Sequence, residues 1–213
     1  MNGLNSLTLL NKEYFGERVV EIPKLFEFLQ LHFNKIETIL DVGCYGSKYL
    51  KELSKYAKVI DGIDIKFGEK EKEFLNAYFI GNAVDYPLGK YDLVICLSTI
   101  EHAGIEQYQV DDYLKEQFNL FKKIVDVSLK FLFVSFPYGL SSFHAGHFAN
   151  IDKNRLNAFL KFLGNAKYKL SFYFNEDVHN NQGWKKIDQD VANNVSYFPE
   201  KGTRCVCILE VEK

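Results

Sequence analysis

Apolar residues recur at Ile22, Leu25, Phe26, Leu29 and Phe33, the three- and four-residue spacing of an amphipathic helix over about 21–33, with Pro23 in its first turn. The pattern then changes. TILDV (38–42) is a short apolar run that predicts a buried strand, and SKYLKELSKY (47–56) returns to helical spacing through Tyr49, Leu50 and Leu53. KVIDGIDI (58–65) reads as a second strand, EKEKEFL (69–75) as a short charged helix and AYFIG (77–81) as a third strand. YDLVICL (91–97) is apolar enough for burial on both faces, as parallel strands are.

A longer helix is predicted over about 111–129, with an inward stripe at Leu114, Phe118, Phe121 and Val125. Asp111 and Asp112 open it, where carboxylates favour the N-terminus. KFLFVSF (130–136) is the fifth strand, closed by Pro137 and Gly139. Asp152 has the position of an N-cap for a helix over about 153–163, with Leu156, Phe159, Leu160 and Leu163 inward. YKLSFYF (168–174) and TRCVCILEV (203–211) alternate as two further strands.

Strand and helix alternating in this way imply an α/β fold: an open, mostly parallel sheet with helices on both faces and right-handed crossovers. In such sheets ligands sit outside the carboxyl ends of the strands, at the point where strand order reverses. The loops to inspect are therefore 43–48, 64–68, 81–88, 97–105 and 137–150.

Composition narrows the classes. A length of 213 residues suits one domain, and 47% hydrophobic residues supply a substantial core. The formal net charge is -2 and the lysines are spread along the chain, which weighs against a dedicated nucleic-acid binder. Cys44, Cys96, Cys205 and Cys207 fall in or beside predicted strands with no secretory pattern before them, consistent with reduced thiols and a cytoplasmic location. Cys205 and Cys207, two apart on one strand, share a face and read as small buried residues. No apolar run approaches the ~20 residues of a membrane span.

The chemistry lies in the loops. In Gly43-Cys44-Tyr45-Gly46-Ser47 the glycines let backbone approach a ligand. Asp41 closes the first strand; a pyrophosphate would be repelled by it, whereas an ammonium group would not. Asp64 ends the second strand 21 residues after Gly43, near the ~20 expected of an acid that accepts from both ribose hydroxyls. Asp61 competes but falls mid-strand. Asn82 carries an amide suited to an adenine edge, with the Ala83 backbone N–H beside it. Glu101-His102 follows the fourth strand, and His102 has the near-neutral pKa of a general base.

Taken in order, DVGCYGS, VIDGIDI and GNAVDYPLGKYDLVICLSTIEH resemble the class I, Rossmann-like S-adenosylmethionine-dependent methyltransferases over roughly residues 38–136. The tail matches more loosely, and RVVEIPKLFEFL is similar to members associated with cell-surface carbohydrate pathways. The resemblance implies a three-layer fold with a mostly parallel seven-stranded sheet and an antiparallel C-terminal strand. It implies one domain over 1–213: a helical cap (1–35), a cofactor core (36–136) and acceptor-side loops with the last strands (137–213).

The resemblance also implies roles. Asp41 and the Gly43 backbone stand near the methionine end of S-adenosyl-L-methionine, with Cys44, Tyr45, Gly46 and Ser47 in the same turn. Asp64 holds the ribose, Ile65 packs on adenine, and Asn82 and Ala83 face the adenine amine. Leu97 and Ser98 supply backbone contacts to the methionine part. The usual DVGCGTG departs here, because Tyr45 and Ser47 replace glycines, and Asn82 replaces the more frequent Asp.

The expected activity is methyl transfer to a small polar acceptor, an oxygen of a sugar-like metabolite. His102 is the candidate base, with pocket shaping as its alternative role. Glu101, Tyr138, His144 and His147 are candidate acceptor-side residues; Tyr138 and Trp184 either cover the acceptor or pack in the core. No third ligand accompanies His144 and His147, so no metal is expected. A cofactor-binding domain without turnover is the alternative, and an NAD-dependent oxidoreductase fits less well, because Gly-x-Gly-x-x-Gly fails at Tyr45 and Lys48. A homodimer is compatible with the sequence, which does not set the oligomeric state.

Overall fold

Each apolar run predicted as a strand forms one. The computed structural model describes residues 14, 16–105, 112–144, 148–177, 183–196 and 204–213, with 112 and 144 by backbone alone. β1 (Thr38–Val42), β2 (Val59–Asp64), β3 (Ala77–Ile80), β4 (Tyr91–Leu97) and β5 (Ser128–Pro137) pair in parallel. Every residue of β4 is buried, as its unbroken apolar sequence requires at the centre of a sheet.

The sheet order is β3-β2-β1-β4-β5-β10-β8-β9. β10 (Arg204–Glu212) runs antiparallel to both β5 and β8 (Lys167–Asn175). The sheet has eight strands, not seven. The addition is β9 (Lys185–Ile187), antiparallel to β8 at the edge, and three residues are too few to show a periodicity. A separate two-stranded piece joins β6 (Phe143–His144) to β7 (Phe148–Ala149). The chain moves outward from β1 to β3 and then crosses to β4, so strand order reverses between β1 and β4. Their carboxyl ends open the crevice where this fold binds ligands.

The strands divide their side chains between two cores. Ile39, Leu93, Ile95, Phe133 and Ile208 face α1 (Arg18–His32) and α2 (Leu50–Leu53). Leu40, Val94, Cys96, Val134 and Cys207 face α4 (Asp112–Val127) and α5 (Lys153–Lys161), where Phe121 and Phe159 stack at 4.5 Å. The period-2 alternation of buried strands thus appears as two apolar faces rather than one. Among the described residues the remaining α-helices are short: α3 (Glu69–Lys72) and α6 (Gln189–Ala192). No helix among the described residues is long and apolar enough to cross a membrane.

Three local expectations need correction. α1 begins at Arg18, before the apolar stripe, so Pro23 lies in its second turn. The extension is held by Arg18 pairing with Glu21 and by Glu17 pairing with Arg204. The helix expected over 47–56 contracts to α2, with turns on either side. Of the expected stripe of α4, Phe121 and Val125 are buried and Phe118 packs against the core, whereas Leu114 is 36% exposed; Tyr113, Gln117, Leu120 and Ile124 complete the buried face. Gln117 occupies a core position as a polar residue, which obscures that part of the face. It is satisfied there: its amide donates to the Glu101 carbonyl and accepts from Arg155. Asp152 does cap α5, accepting from the Arg155 N–H at 2.9 Å.

Candidate functional site

The first loop turns sharply because Gly43 takes φ +82°. A Cβ there would lie 2.1 Å from Thr99 Oγ1, so only glycine lets β1 and the loop after β4 close on each other. Cys44 then turns inward, and its Sγ packs where a side chain on Gly62 would stand. Its thiol is buried and pushed up by that burial, so it acts as packing.

Asp64 ties this loop to the next. One carboxylate oxygen accepts from the Tyr45 N–H at 3.0 Å and the other from the Lys66 N–H at 2.9 Å. A carboxylate has about four acceptor sites, so roughly two remain for a ligand. Asn82 folds back, its Oδ1 accepting from the Val84 N–H at 3.0 Å. Its amide N–H groups are therefore the part left for recognition.

These loops line one cleft of about 420 Å³ at the carboxyl ends of β1, β2, β3 and β4. Gly43, Tyr45, Asp64, Ile65, Asn82 and Ala83, from the loops after β1, β2 and β3, line it. Ser98, Thr99 and His102, after β4, also line it, as do Arg18 of α1 and Glu116 of α4. Ile65 is 55% exposed, an apolar side chain in the open at the mouth.

Beneath the cleft lies a buried polar floor. Asp41 is fully buried; the Tyr49 hydroxyl donates to its Oδ1 at 2.8 Å, and Oδ2 has no partner among the described residues. Burial raises its pKa to about 7, against the opposing pull of Tyr49 and Arg18. Glu21 is also fully buried, with one oxygen taking Arg18 Nη1 at 2.7 Å and the other the Ser98 hydroxyl at 2.5 Å. Burial alone would lower the pKa of Arg18, and Glu21 beside it more than offsets that. Glu101 is buried, its Oε2 has no partner among the described residues, and burial raises its pKa well above the ordinary range.

Some expected residues stand outside the cleft wall. Asp41, Cys44, Gly46, Ser47, Leu97 and Glu101 do not line it. Glu101 lies behind His102, its Oε1 3.8 Å from Nε2, whereas the His102 side chain is 55% exposed. Tyr138 is buried in the core, donating its hydroxyl to Asn193, so it does not reach the cleft. Trp184 packs against the core on the α1 side. The His144 side chain and all of His147 lie outside the described residues, as does Asp111.

No family model matches the chain, and no curated protein matches it either. Solved structures do. Magnesium protoporphyrin IX methyltransferase from Synechocystis, with bound SAM, aligns over 90% of this chain and 78% of its own at TM-score 0.56 and 15% identity. An S-adenosylmethionine-dependent methyltransferase from Clostridium acetobutylicum aligns over 99% of both chains, at TM-score 0.53 and 13% identity. The chain has the class I methyltransferase fold. A third such structure is the Burkholderia thailandensis 1,6-didemethyltoxoflavin-N1-methyltransferase with S-adenosylhomocysteine bound; it aligns over 88% of this chain and 76% of its own at TM-score 0.56 and 11% identity.

Within this methyltransferase fold, the residues of the cleft fit a thioether nucleoside. The Asp64 acceptor sites, the Gly43 approach and the Asn82 amide stand in one cleft, and a buried orphan oxygen of Asp41 lies beneath it. Sequence reasoning missed Arg18, Glu21, Tyr49 and Thr99. The pair at 18 and 21, an i,i+3 arginine and glutamate ahead of an apolar stripe, was the one signal available for the first two.

Proposed function

We propose that the protein is an S-adenosylmethionine-dependent methyltransferase acting on a small polar acceptor. The observation that carries this reading is Asp64. It closes β2 on the same cleft as the positive-φ turn at Gly43, with acceptor capacity beyond its two loop contacts. Asp64 would hold the ribose hydroxyls, the Asn82 amide and Ala83 N–H the adenine edge, and Gly43 the close approach of the sulfur-bearing tail. When bound, the cofactor supplies an electrophilic methyl group, so the chain's own task is orientation and exclusion of water.

His102, in the cleft wall and exposed, would take the proton of a hydroxyl acceptor; Glu101 behind it would orient the ring. This favours an oxygen acceptor, and the likeness of 18–29 to carbohydrate-pathway members makes it sugar-like. The test is thermal melting with S-adenosylhomocysteine and with NAD, followed by transfer of a labelled methyl group to a pool of sugar-like metabolites. A ligand at a hundredfold its Kd adds about 2.7 kcal/mol to the stability of the state that binds it. Stabilisation by the thioether alone, with a labelled product, supports the proposal. Stabilisation by NAD alone contradicts it, and thioether binding without any product leaves a binding domain.

A further inference from the structure

A second, smaller cavity lies beside the cleft. It measures about 10 Å³, room for one water molecule or one hydroxyl group. Tyr138, Phe148 and Val195 give it apolar walls, and Glu17, Asn150 and Arg204 supply polar groups. Glu17 directly precedes Arg18, and the Phe148 ring centre stands 6.3 Å from that of His102; Arg18 and His102 both line the main cleft. The sheet order sets the two places apart. Asp64 ends β2 and Asn82 follows β3, whereas Tyr138 follows β5 and Arg204 opens β10; His102, after β4, comes between them in that order.

Asn150 marks the cavity as a site. It is 3% exposed. Its N–H donates to the Ser142 carbonyl at 3.0 Å, and its carbonyl accepts from Arg155, so its backbone groups are used. Its side-chain Oδ1 has no partner among the described residues. A buried amide oxygen without a donor costs stability, and native interiors hold few of them. The donor that Oδ1 lacks is one that these residues do not supply.

The surrounding charge and size say what donor suits it. Glu17 and Arg204 pair with each other, so the lining carries no net charge. A charged guest would give up its hydration there without gaining a counter-ion. A neutral hydroxyl would not, and it matches the volume. The apolar Phe148 and Val195 suit the C–H face of the molecule that carries it. We propose that this cavity anchors one hydroxyl of the methyl acceptor, donated to Asn150 Oδ1, while a different hydroxyl lies at His102 for methylation. This inference rests on the reading of a sugar-like acceptor and narrows it to molecules with at least two hydroxyls. It makes Asn150 a specificity-determining residue.

The test compares the wild type with Asn150→Leu, which keeps the volume and removes the oxygen. The probes are the methyl glycosides of glucose, galactose and mannose and the monodeoxy form of each, assayed for transfer of a labelled methyl group. In the wild type, removing one hydroxyl other than the methylated one should lower kcat/KM by roughly ten- to a hundredfold. In the variant that difference should collapse, with the intact glycoside falling to the level of its deoxy form. A deoxy effect of the same size in both proteins overturns the proposal, as does a wild type indifferent to every such removal. Thermal melting without ligand gives a second readout. A recognition site gives up stability, so Asn150→Leu should melt at the same temperature or higher. A clearly lower melting temperature assigns Asn150 to a structural water and overturns the proposal. If S-adenosylhomocysteine binds by calorimetry but no glycoside is methylated, the sugar-like acceptor is lost and this subsite with it. If the thioether does not bind either, the methyltransferase reading itself falls, a result distinct from the others.

Discussion

The Tyr49 hydroxyl donates to Asp41 Oδ1 at 2.8 Å inside a site that water does not reach. The pair joins the turn after the first loop to the end of β1, and it leaves the second Asp41 oxygen without a partner among the described residues. An acid so placed is costly to ionise, and that cost can be measured.

Asp41 has a folded-state pKa of about 7 against an ordinary 3.8, with burial the leading cause. Tyr49, Arg18, Asp64 and Ser47 are the groups that face it. Between those two values the folded chain keeps a proton that the unfolded chain has lost. Stability contributed by this site is therefore greatest below about 4 and falls as pH rises towards about 7. Asp41→Asn removes the penalty. In urea unfolding of the ligand-free protein, the stability of the variant relative to the wild type should be clearly greater near pH 8 than near pH 5. Glu101, raised in the same direction, is present in both chains and cancels in the comparison. An equal difference at the two pH values would contradict the assignment.

Two glycines of one loop should respond differently to alanine. Gly43 and Gly46 both have positive φ, and each substitution should cost on the order of 1–2 kcal/mol for that conformation alone. A Cβ at Gly46 meets nothing within 4 Å, whereas one at Gly43 collides with Thr99. Gly43→Ala should therefore lose clearly more stability than Gly46→Ala, and should weaken S-adenosylhomocysteine binding as well. Equal melting temperatures for the two variants would refute this.

Asp64→Asn keeps one acceptor for the loop N–H groups and gives up the charge. The fold should change little, while S-adenosylhomocysteine affinity should fall roughly tenfold or more, as expected when a charged acceptor is lost from a hydrogen-bonded pair. Calorimetry reads this directly. Unchanged affinity would remove the ribose assignment.

His102→Ala should separate binding from chemistry. The side chain lines the cleft but is well exposed, so thioether affinity should stay within about twofold, while the rate with a hydroxyl acceptor should drop by about 10²-fold or more. Wild-type turnover in the variant would leave only the pocket-shaping role.

The fold was legible where burial alone determines the letters. β1 and β4 are unbroken apolar runs because both faces of a central parallel strand are covered, and their order with the helices between them implies the reversal between β1 and β4. The Asp64 position was legible because strand length and loop length fix its distance from Gly43. The polar floor was not. Arg18 reaches the Leu97 carbonyl across 79 positions, Ser98 reaches Glu21 across 77, and Glu17 reaches Arg204 across 187. Contacts of that range leave no local periodicity. Tyr138 misled for a related reason: an aromatic residue just past a strand end fits a pocket lid or a core plug equally well. Long-range contacts hold it inward: its N–H donates to the Cys205 carbonyl and its hydroxyl to Asn193.

The most direct measurement is a crystal structure with S-adenosylhomocysteine soaked in. The account predicts both ribose hydroxyls on the Asp64 carboxylate, the adenine against Asn82 and Ala83, and the sulfur-bearing tail passing Gly43. Ligand density elsewhere on the molecule, or a cleft that stays empty at saturating concentration, would contradict it.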